Sequence, residues 1–305
     1  MTLDASIIIT SYNVERYIER AIRSALAQRD VNVEIIVVDD CSRDATWDVI
    51  SAIGDARVRT FRMERNSGPG AARNKGFAQA RGEWIVVLDG DDAMEPERLA
   101  RCLACARRMQ ADMVVDNLTV CREADGKEFP MFVSERFAQM QMLELPAFIR
   151  GTLAGSRYTL GYVKPIFSAA FVREHQLQYT AQMRIGEDYM IVAEALALKA
   201  RCAMEPSAGY RYTVRDGSIS HRLALVDLEQ MKAADEAFVA RFTLKGAALK
   251  AQRRRSLLRE EMMAFVQFVE AIKSGSPWAA LRAVAPYPLA VRHVWEALWK
   301  RLTQA

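Results

Sequence analysis

Residues 84–92 read Trp-Ile-Val-Val-Leu-Asp-Gly-Asp-Asp. An apolar run, Trp84 to Leu88, ends on the carboxylates Asp89, Asp91 and Asp92, and Gly90 permits a tight turn between the first two. A short apolar run bounded by turn residues is a buried strand. Ligands of open α/β sheets sit beyond the carboxyl ends of such strands. Clustered carboxylates there repel one another unless a cation neutralises them, and hard divalent ions such as Mg²⁺ take one or two carboxylates with phosphate oxygens and water. The chemistry indicated is a metal–diphosphate site.

Two more polar clusters follow apolar runs. Ser6–Thr10 leads into Ser11-Tyr12-Asn13, and Val33–Val38 leads into Asp39-Asp40, with Ser42 next. An aromatic and a carboxylate at adjacent strand ends suit a pyrimidine: Tyr12 can stack and an Asp can accept the ring N–H. Thr10 and Ser42 equally suit turn and capping roles. Asn66-Ser67-Gly68-Pro69-Gly70-Ala71-Ala72-Arg73 opens a helix with an arginine in its first turn. A helix N-terminus and a guanidinium both attract phosphate oxygens. The segment is not a Walker-type phosphate loop, since no Gly-Lys-Ser/Thr follows. Nor does the first strand lead into the G-x-G-x-x-G of nicotinamide enzymes.

These residues need a scaffold of alternating strands and helices. Apolar runs predict strands at Ser6–Thr10, Val33–Val38, Val58–Met63, Trp84–Leu88 and Met113–Asn117. Helical spacing marks Glu15–Gln28, Ser42–Ile53, Ala71–Ala80 and Pro96–Met109. The alternation predicts an α/β fold whose mostly parallel sheet is covered on both faces. From about 120 to 220 the pattern loosens, with elements at Leu143–Arg150, Val163–Phe167, Asp188–Ala200 and Gly209–Val214. Beyond His221 the chain reads as helix, broken once at Ser274-Gly275-Ser276-Pro277.

Taken in order, Ser6–Asn13, Val37–Asp44, Gly68–Gly76 and Gly82–Asp92 resemble the family 2 glycosyltransferases, inverting enzymes of the GT-A fold, and the likeness extends to about His221. The resemblance implies that Thr10, Tyr12 and Asp40 hold the uracil and ribose of a UDP-sugar donor. Asp39 would support that pocket and Arg73 would contact base or diphosphate. Asp89-Gly90-Asp91 would be the family's D-x-D, holding Mg²⁺ or Mn²⁺ with Asp91 as the direct ligand and Asp89 beside it. Asp92 would sit behind them or touch the sugar. Ile185-Gly186-Glu187-Asp188-Tyr189 matches the family's E-D motif, which implies Asp188 as general base and Glu187 as an acceptor contact. Both carboxylates also suit a helix N-terminus. Tyr210–His221 resembles the segment that closes over the donor, with Arg215 reaching the diphosphate and His221 a candidate metal ligand.

The expected organisation is a GT-A catalytic domain over 1–222, with nucleotide-sugar-binding (1–117) and acceptor-binding (118–222) halves. A C-terminal helical region over 223–305 follows. The implied function is transfer of a hexose, glucose by family frequency, to a glycan acceptor carried on a lipid in bacterial surface-polysaccharide assembly. Two other classes remain: a silent nucleotide-sugar-binding partner of an assembly complex, and a nucleotidyltransferase. The intact Asp89, Asp91 and Asp188 count against the first. The missing glycine-rich activation loop counts against the second.

Composition narrows the partners. With 51% hydrophobic and 26% charged residues among 305, this is an ordinary folded chain. A net charge of +4 is too mild to suggest nucleic acid, and it is uneven. Residues 246–305 carry ten Lys/Arg against four Asp/Glu, which leaves the first 245 residues slightly acidic. The five scattered cysteines suggest a reducing compartment. Cys102 and Cys105 form a C-x-x-C inside a helix, which favours small buried residues over zinc ligands. No secretory leader is evident, and no run of about 18 uncharged apolar residues exists. The expected location is cytoplasmic.

From Leu289 to Leu302, Val291, Val294, Trp295, Leu298, Trp299 and Leu302 share one helical face, with basic residues opposite. This pattern suits an interfacial helix at the anionic inner membrane, to which Arg253-Arg254-Arg255 adds charge. It equally suits a helix packed on the catalytic domain. Co-sedimentation with anionic vesicles decides between them. Binding that weakens with salt and disappears on deleting 277–305 supports the membrane, and behaviour independent of vesicles supports packing.

Overall fold

The computed structural model describes residues 2–132, 141–153, 159–215 and 224–287. In chain order the elements are Ala5–Ser11 (β1), Ile18–Leu26 (α1), Val33–Asp39 (β2), Thr46–Ser51 (α2), Val58–Arg62 (β3), Pro69–Gln79 (α3), Trp84–Asp89 (β4), Ala93–Met94 (β5) and Arg98–Met109 (α4). Met113–Arg122 (β6), Lys127–Pro130 (β7), Met142–Leu143 (β8), Leu145–Gly151 (α5), Ile166–Ser168 (β9), Ala169–Glu174 (α6), Glu187–Ala197 (α7) and Cys202–Val214 (β10) follow. Three helices end the described chain: Leu225–Arg241 (α8), Gly246–Lys273 (α9) and Pro277–Val284 (α10).

The strands form one sheet in the order β3-β2-β1-β4-β9-β6-β10-β5, with β7 beside β6 and β8 beside β10. Its first half is parallel, from β3 through β2 and β1 to β4. β9 runs antiparallel to both β4 and β6, and β6 is parallel to the long β10. The central parallel strands are buried along almost their whole length, which explains their unbroken apolar sequences. Chain order reverses at β1, whose neighbours are β2 and β4. Register sets Ser11 opposite Asp39 and Thr10 opposite Asp89, so the polar clusters meet at this switch point.

Gly90 is demanded by proximity. Its N–H donates to the Thr10 carbonyl at 2.9 Å, and a Cβ there would stand 2.7 Å from that same oxygen. Two helices are shorter than their periodicity predicts. Before α1, Asn13 takes a left-handed φ of 52° and the chain turns until Ile18. Before α2, the Asp44 carboxylate accepts the backbone N–H and hydroxyl of Thr46, delaying the helix to that residue. Strands β5, β8 and β9 are two or three residues long, too short for any periodicity to reveal them.

The C-terminal helices pack on the α/β body. Ala234 and Phe238 of α8 belong to the same hydrophobic core as the central strands. Ala280 and Val284 of α10 are buried, and Val284 clusters with Ala264 of α9, while Trp278 is 80% exposed. Cys102 and Cys105 are free and buried in α4, and burial pushes both thiols up. Among the described residues no helix is long and apolar enough to cross a membrane. The amphipathic stretch from Leu289 to Leu302 lies outside the described residues.

One buried ion pair joins the layers behind the switch point. The fully buried Arg98 donates from Nε and Nη2 to Asp116 at 2.9 and 2.8 Å and from Nη2 to the Lys164 carbonyl at 3.1 Å, and its guanidinium lies over the Tyr210 ring. Asp116→Ala leaves that cation unpaired and should cost roughly 3–5 kcal/mol in urea unfolding, whereas Arg98→Met with Asp116→Leu recovers most of the loss. Equal losses in the two proteins would mean that packing, not charge pairing, carries the contribution.

Candidate active site

A cavity of about 610 Å³ opens over the strand ends. Thr10 at the end of β1 and Tyr12 just after it, Asp40 after β2, and Gly68 and Pro69 at the start of α3 line one end. Asp40 accepts the backbone N–H groups of Ser67 and Gly68, each at 2.8 Å, which pins the glycine-rich loop beside the β2 end. Burial raises the Asp40 carboxyl against the lowering effect of those two N–H groups. Asp39 is fully buried and faces inward. It accepts the hydroxyls of Ser11 and Ser42 and the Ser42 N–H, with Arg62 at 3.5 Å. Asp39 therefore shapes the turn that carries Asp40.

The middle of the cavity is a charge lattice. Asp89 at the end of β4 accepts Arg73 Nη2 on one oxygen and Lys164 Nζ on the other, both at 2.6 Å. The Lys164 ammonium also donates to Asp188 Oδ2 at 2.6 Å, and Arg73 Nη1 lies 2.6 Å from Glu187 and 3.1 Å from Asp188 Oδ1. Arg73 and Lys164 are almost completely buried. Burial alone would raise the Asp89 carboxyl, but Lys164 and Arg73 outweigh it and hold the group well below the usual carboxylate range. Burial would lower the Lys164 ammonium, and Asp188 and Asp89 reverse that, holding it well above its usual value. Burial and neighbouring Asp188 push the Glu187 carboxyl up, with Arg73 opposing.

Local sequence explains how residues so far apart in the chain meet. Arg73 faces the cavity from the second turn of α3, a helix entered through Gly68 at φ 91° and Pro69. Asn74, one residue on, exchanges hydrogen bonds of 2.8 Å with the backbone of Tyr179, donating to its carbonyl and accepting its N–H. This stitches α3 to the loop that ends at Gly186, in the left-handed region at φ 87°, where α7 begins with Glu187 and Asp188. Lys164 arrives from just before β9, held in place by the Arg98 bond to its carbonyl.

The D-G-D-D carboxylates divide their tasks. Asp92 is buried, accepting the Tyr210 hydroxyl at 2.7 Å and the Thr213 N–H at 2.7 Å. It anchors β10, and burial, reinforced by Asp91 and Asp89, raises its carboxyl well above normal. Asp91 is 22% exposed, with Arg215 Nε 2.9 Å from one oxygen and Arg20 Nη2 on its backbone carbonyl. Arg215 thus reaches the cavity at Asp91, stacked over Tyr17.

Of the candidate metal ligands, Asp91 fits a divalent ion: it is open to the cavity and Arg215 engages only one of its oxygens. Asp89 does not, because both of its oxygens are already held by buried cations. Among the described residues no three metal-ligating side chains converge, so any ion would complete its shell with diphosphate oxygens and water. His221 lies outside the described residues. Glu187, expected at the acceptor, is turned onto Arg73. The sequence reading missed Lys164, whose only signal is a lone charge within the apolar run Val163–Phe167. It also missed Arg184, an exposed cavity residue, and Arg255, which enters from α9.

Comparisons with known proteins bear on the family and the fold. The model of glycosyl transferase family 2 matches residues 6–158. The chain is 47% identical over 292 residues to the succinoglycan biosynthesis protein ExoO of Rhizobium meliloti strain 1021, an alignment covering 95% of this chain and 84% of that protein. Among solved structures, S. aureus TarS 1–349 in complex with UDP-GlcNAc superposes with a TM-score of 0.67 at 20% identity, covering 95% of this chain and 82% of that one. The mannosyltransferase PcManGT of Pyrobaculum calidifontis, in complex with GDP-Man and Mn²⁺, gives 0.62 at 15% identity over 98% and 81% of the chains. At these identities the two structures show a shared fold, that of the GT-A glycosyltransferases.

The charge lattice sets a pH signature for Lys164→Met. The depressed Asp89 carboxyl stabilises the fold above its unfolded value of about 3.9, a contribution lost as pH falls through the folded value. The raised Lys164 contributes fully below its unfolded value of about 10.4 and loses the contribution as pH rises through its folded one. Urea unfolding should therefore separate wild type from Lys164→Met most widely near neutral pH, and the gap should narrow in acid. A gap independent of pH would assign the lysine a packing role.

Proposed function

The chain belongs to glycosyl transferase family 2, and we propose that it moves a hexose from a UDP-sugar to a hydroxyl of a lipid-linked glycan, with inversion, in bacterial surface-polysaccharide assembly. The observation that carries this reading is that a single cavity holds Tyr12 and Asp40, the open carboxylate Asp91, and Asp188 at a helix start. Tyr12 and Asp40, an aromatic and a carboxylate at adjacent strand ends, suit the uracil of UDP, and the TarS structure is a complex with UDP-GlcNAc. The ExoO relative, named for succinoglycan biosynthesis, supports the polysaccharide setting.

In this mechanism Tyr12 and Asp40 seat the base and Asp91 faces the diphosphate. Mg²⁺ or Mn²⁺ held by Asp91 would supply Lewis-acid neutralisation of the leaving group. Arg215 lies at the same place and offers hydrogen-bond donors to the leaving oxygen as negative charge grows there. Asp188 takes the acceptor hydroxyl's proton while that oxygen bonds to the anomeric carbon. The carbon–oxygen bond to the diphosphate breaks on the opposite face, and UDP departs with the electron pair. One displacement inverts the centre, so an α-linked donor gives a β-linked product. Lys164 and Arg73 hold Asp188 from two sides, which preserves the attack geometry.

Purified protein, supplied with Mn²⁺, a panel of UDP-sugars and a lipid extract of polysaccharide-producing cells, should release UDP from one donor, and EDTA should suppress it. Asp188→Asn should lower turnover by about 10²–10⁴-fold and leave UDP binding intact. Asp91→Ala should weaken both donor and metal binding. Turnover that survives Asp188→Asn, or release only from GDP-sugars, would overturn the reading.

A further inference from the structure

The basic triplet Arg253-Arg254-Arg255 does not act as a unit. Arg253 and Arg254 are exposed on α9, but Arg255 points inward and lines the active-site cavity together with Met231 of α8. A residue of the C-terminal helices thus forms part of the wall beside Glu187 and Asp188.

Arg255 is mounted with care. Its guanidinium carbon lies 3.5 Å from the centre of the Tyr189 ring, the residue that follows Asp188. Tyr189 in turn stacks on Phe148 of α5, centroids 5.3 Å apart and planes 11° from parallel. The Tyr189 hydroxyl donates to Gln252, one turn earlier on α9, at 3.4 Å. Flat stacking fixes the plane of a guanidinium and leaves its edge donors free to meet an anion.

Its charge is incompletely answered. Among the described residues the only carboxylate within ion-pair reach is Asp235, 3.5 Å from Nε, and Asp235 is already tightly bonded to Arg259. Nε is buried and makes no hydrogen bond. Arg259 also has Glu260 at 3.8 Å, itself paired with Lys232 at 3.1 Å, so two carboxylates face three cations and one positive charge is left over beside the cavity.

We propose that Arg255 is the anion-binding element of the acceptor subsite, and that the acceptor carries a phosphate or carboxylate close to the hydroxyl that reacts. The proposal rests on Asp188 being the base: in an inverting displacement the acceptor approaches on the side of the base, and Arg255 stands over the next residue of the same helix turn. A charge-assisted, planar contact there would orient the acceptor as well as bind it.

The test titrates the full chain with glucose 1-phosphate, methyl glucuronide and neutral methyl glucoside, with and without saturating UDP. At least one anion should bind about tenfold more tightly than methyl glucoside, as a charge-assisted contact warrants. The preference should vanish in Arg255→Gln and partly return in Arg255→Lys, with UDP affinity unchanged in both. Which anion wins distinguishes a phosphate-bearing from a carboxylate-bearing acceptor. Should Arg255→Gln melt early, Arg255→Met, which keeps an aliphatic stem over Tyr189, gives the same comparison. Equal binding of anions and glucoside, a preference that survives Arg255→Gln, or a fall in UDP affinity would overturn the proposal. Failure of wild type to bind UDP would instead remove the transferase reading, and the titration without UDP still decides the role of Arg255.

Discussion

Two buried cations hold the site together. Arg73 and Lys164 each take one oxygen of Asp89; Arg73 also holds both carboxylates that begin α7, and Lys164 holds Asp188. Without them, Asp89, Glu187 and Asp188 could not share a largely dehydrated space, because ionised carboxylates in a low dielectric repel strongly. With them, the start of α7 is drawn to the end of β4. The same contacts that permit the fold to close also aim Asp188 into the cavity, so stability and preorganisation have one source here.

Around that lattice, buried polar groups serve as fasteners for the loops. Asp40 pins the glycine-rich turn, Asn74 stitches α3 to the segment before α7, and Asp92 clamps β10 onto the strand ends. Each fastener satisfies backbone groups that a loop over a sheet edge would otherwise leave unpaired. An acidic residue in a motif is thus as often a structural acceptor as a ligand. Of the D-G-D-D carboxylates, Asp91 alone combines solvent access with an oxygen that no cation already claims.

This division explains what could be read from the sequence and what could not. The parallel strands were legible because burial on both faces leaves continuous apolar runs ending at polar switch-point residues, as in Ile7–Thr10 and Val86–Asp89. The second half was less so: β9 is only three residues long, and β10 carries register shifts between Glu205 and Tyr210 that blur its alternation. The motif residues were found because their types and spacing are unusual. Lys164 was not, since a single lysine beside a proline carries no period and its meaning appears only when Asp89 and Asp188 are brought to it. Arg255 was misjudged for the opposite reason, because a run of arginines suggests a surface and gives no hint that one of them turns inward.

The balance of charge bears on what the site needs in order to bind a donor. Asp89, Asp91, Glu187 and Asp188 oppose Arg73, Lys164 and Arg215, which leaves the lattice with one excess negative charge when all are ionised. A nucleoside diphosphate would add further negative charge at Asp91. Arg73 and Lys164 cannot move to meet it without uncovering Asp89 and Asp188, and Arg215, which holds Asp91 through Nε, has only its Nη groups left to offer. A divalent cation beside Asp91 would offset the negative charge that the diphosphate brings. On this view the D-x-D motif works because its two carboxylates differ, Asp89 being locked into the protein's own cations and Asp91 kept exchangeable.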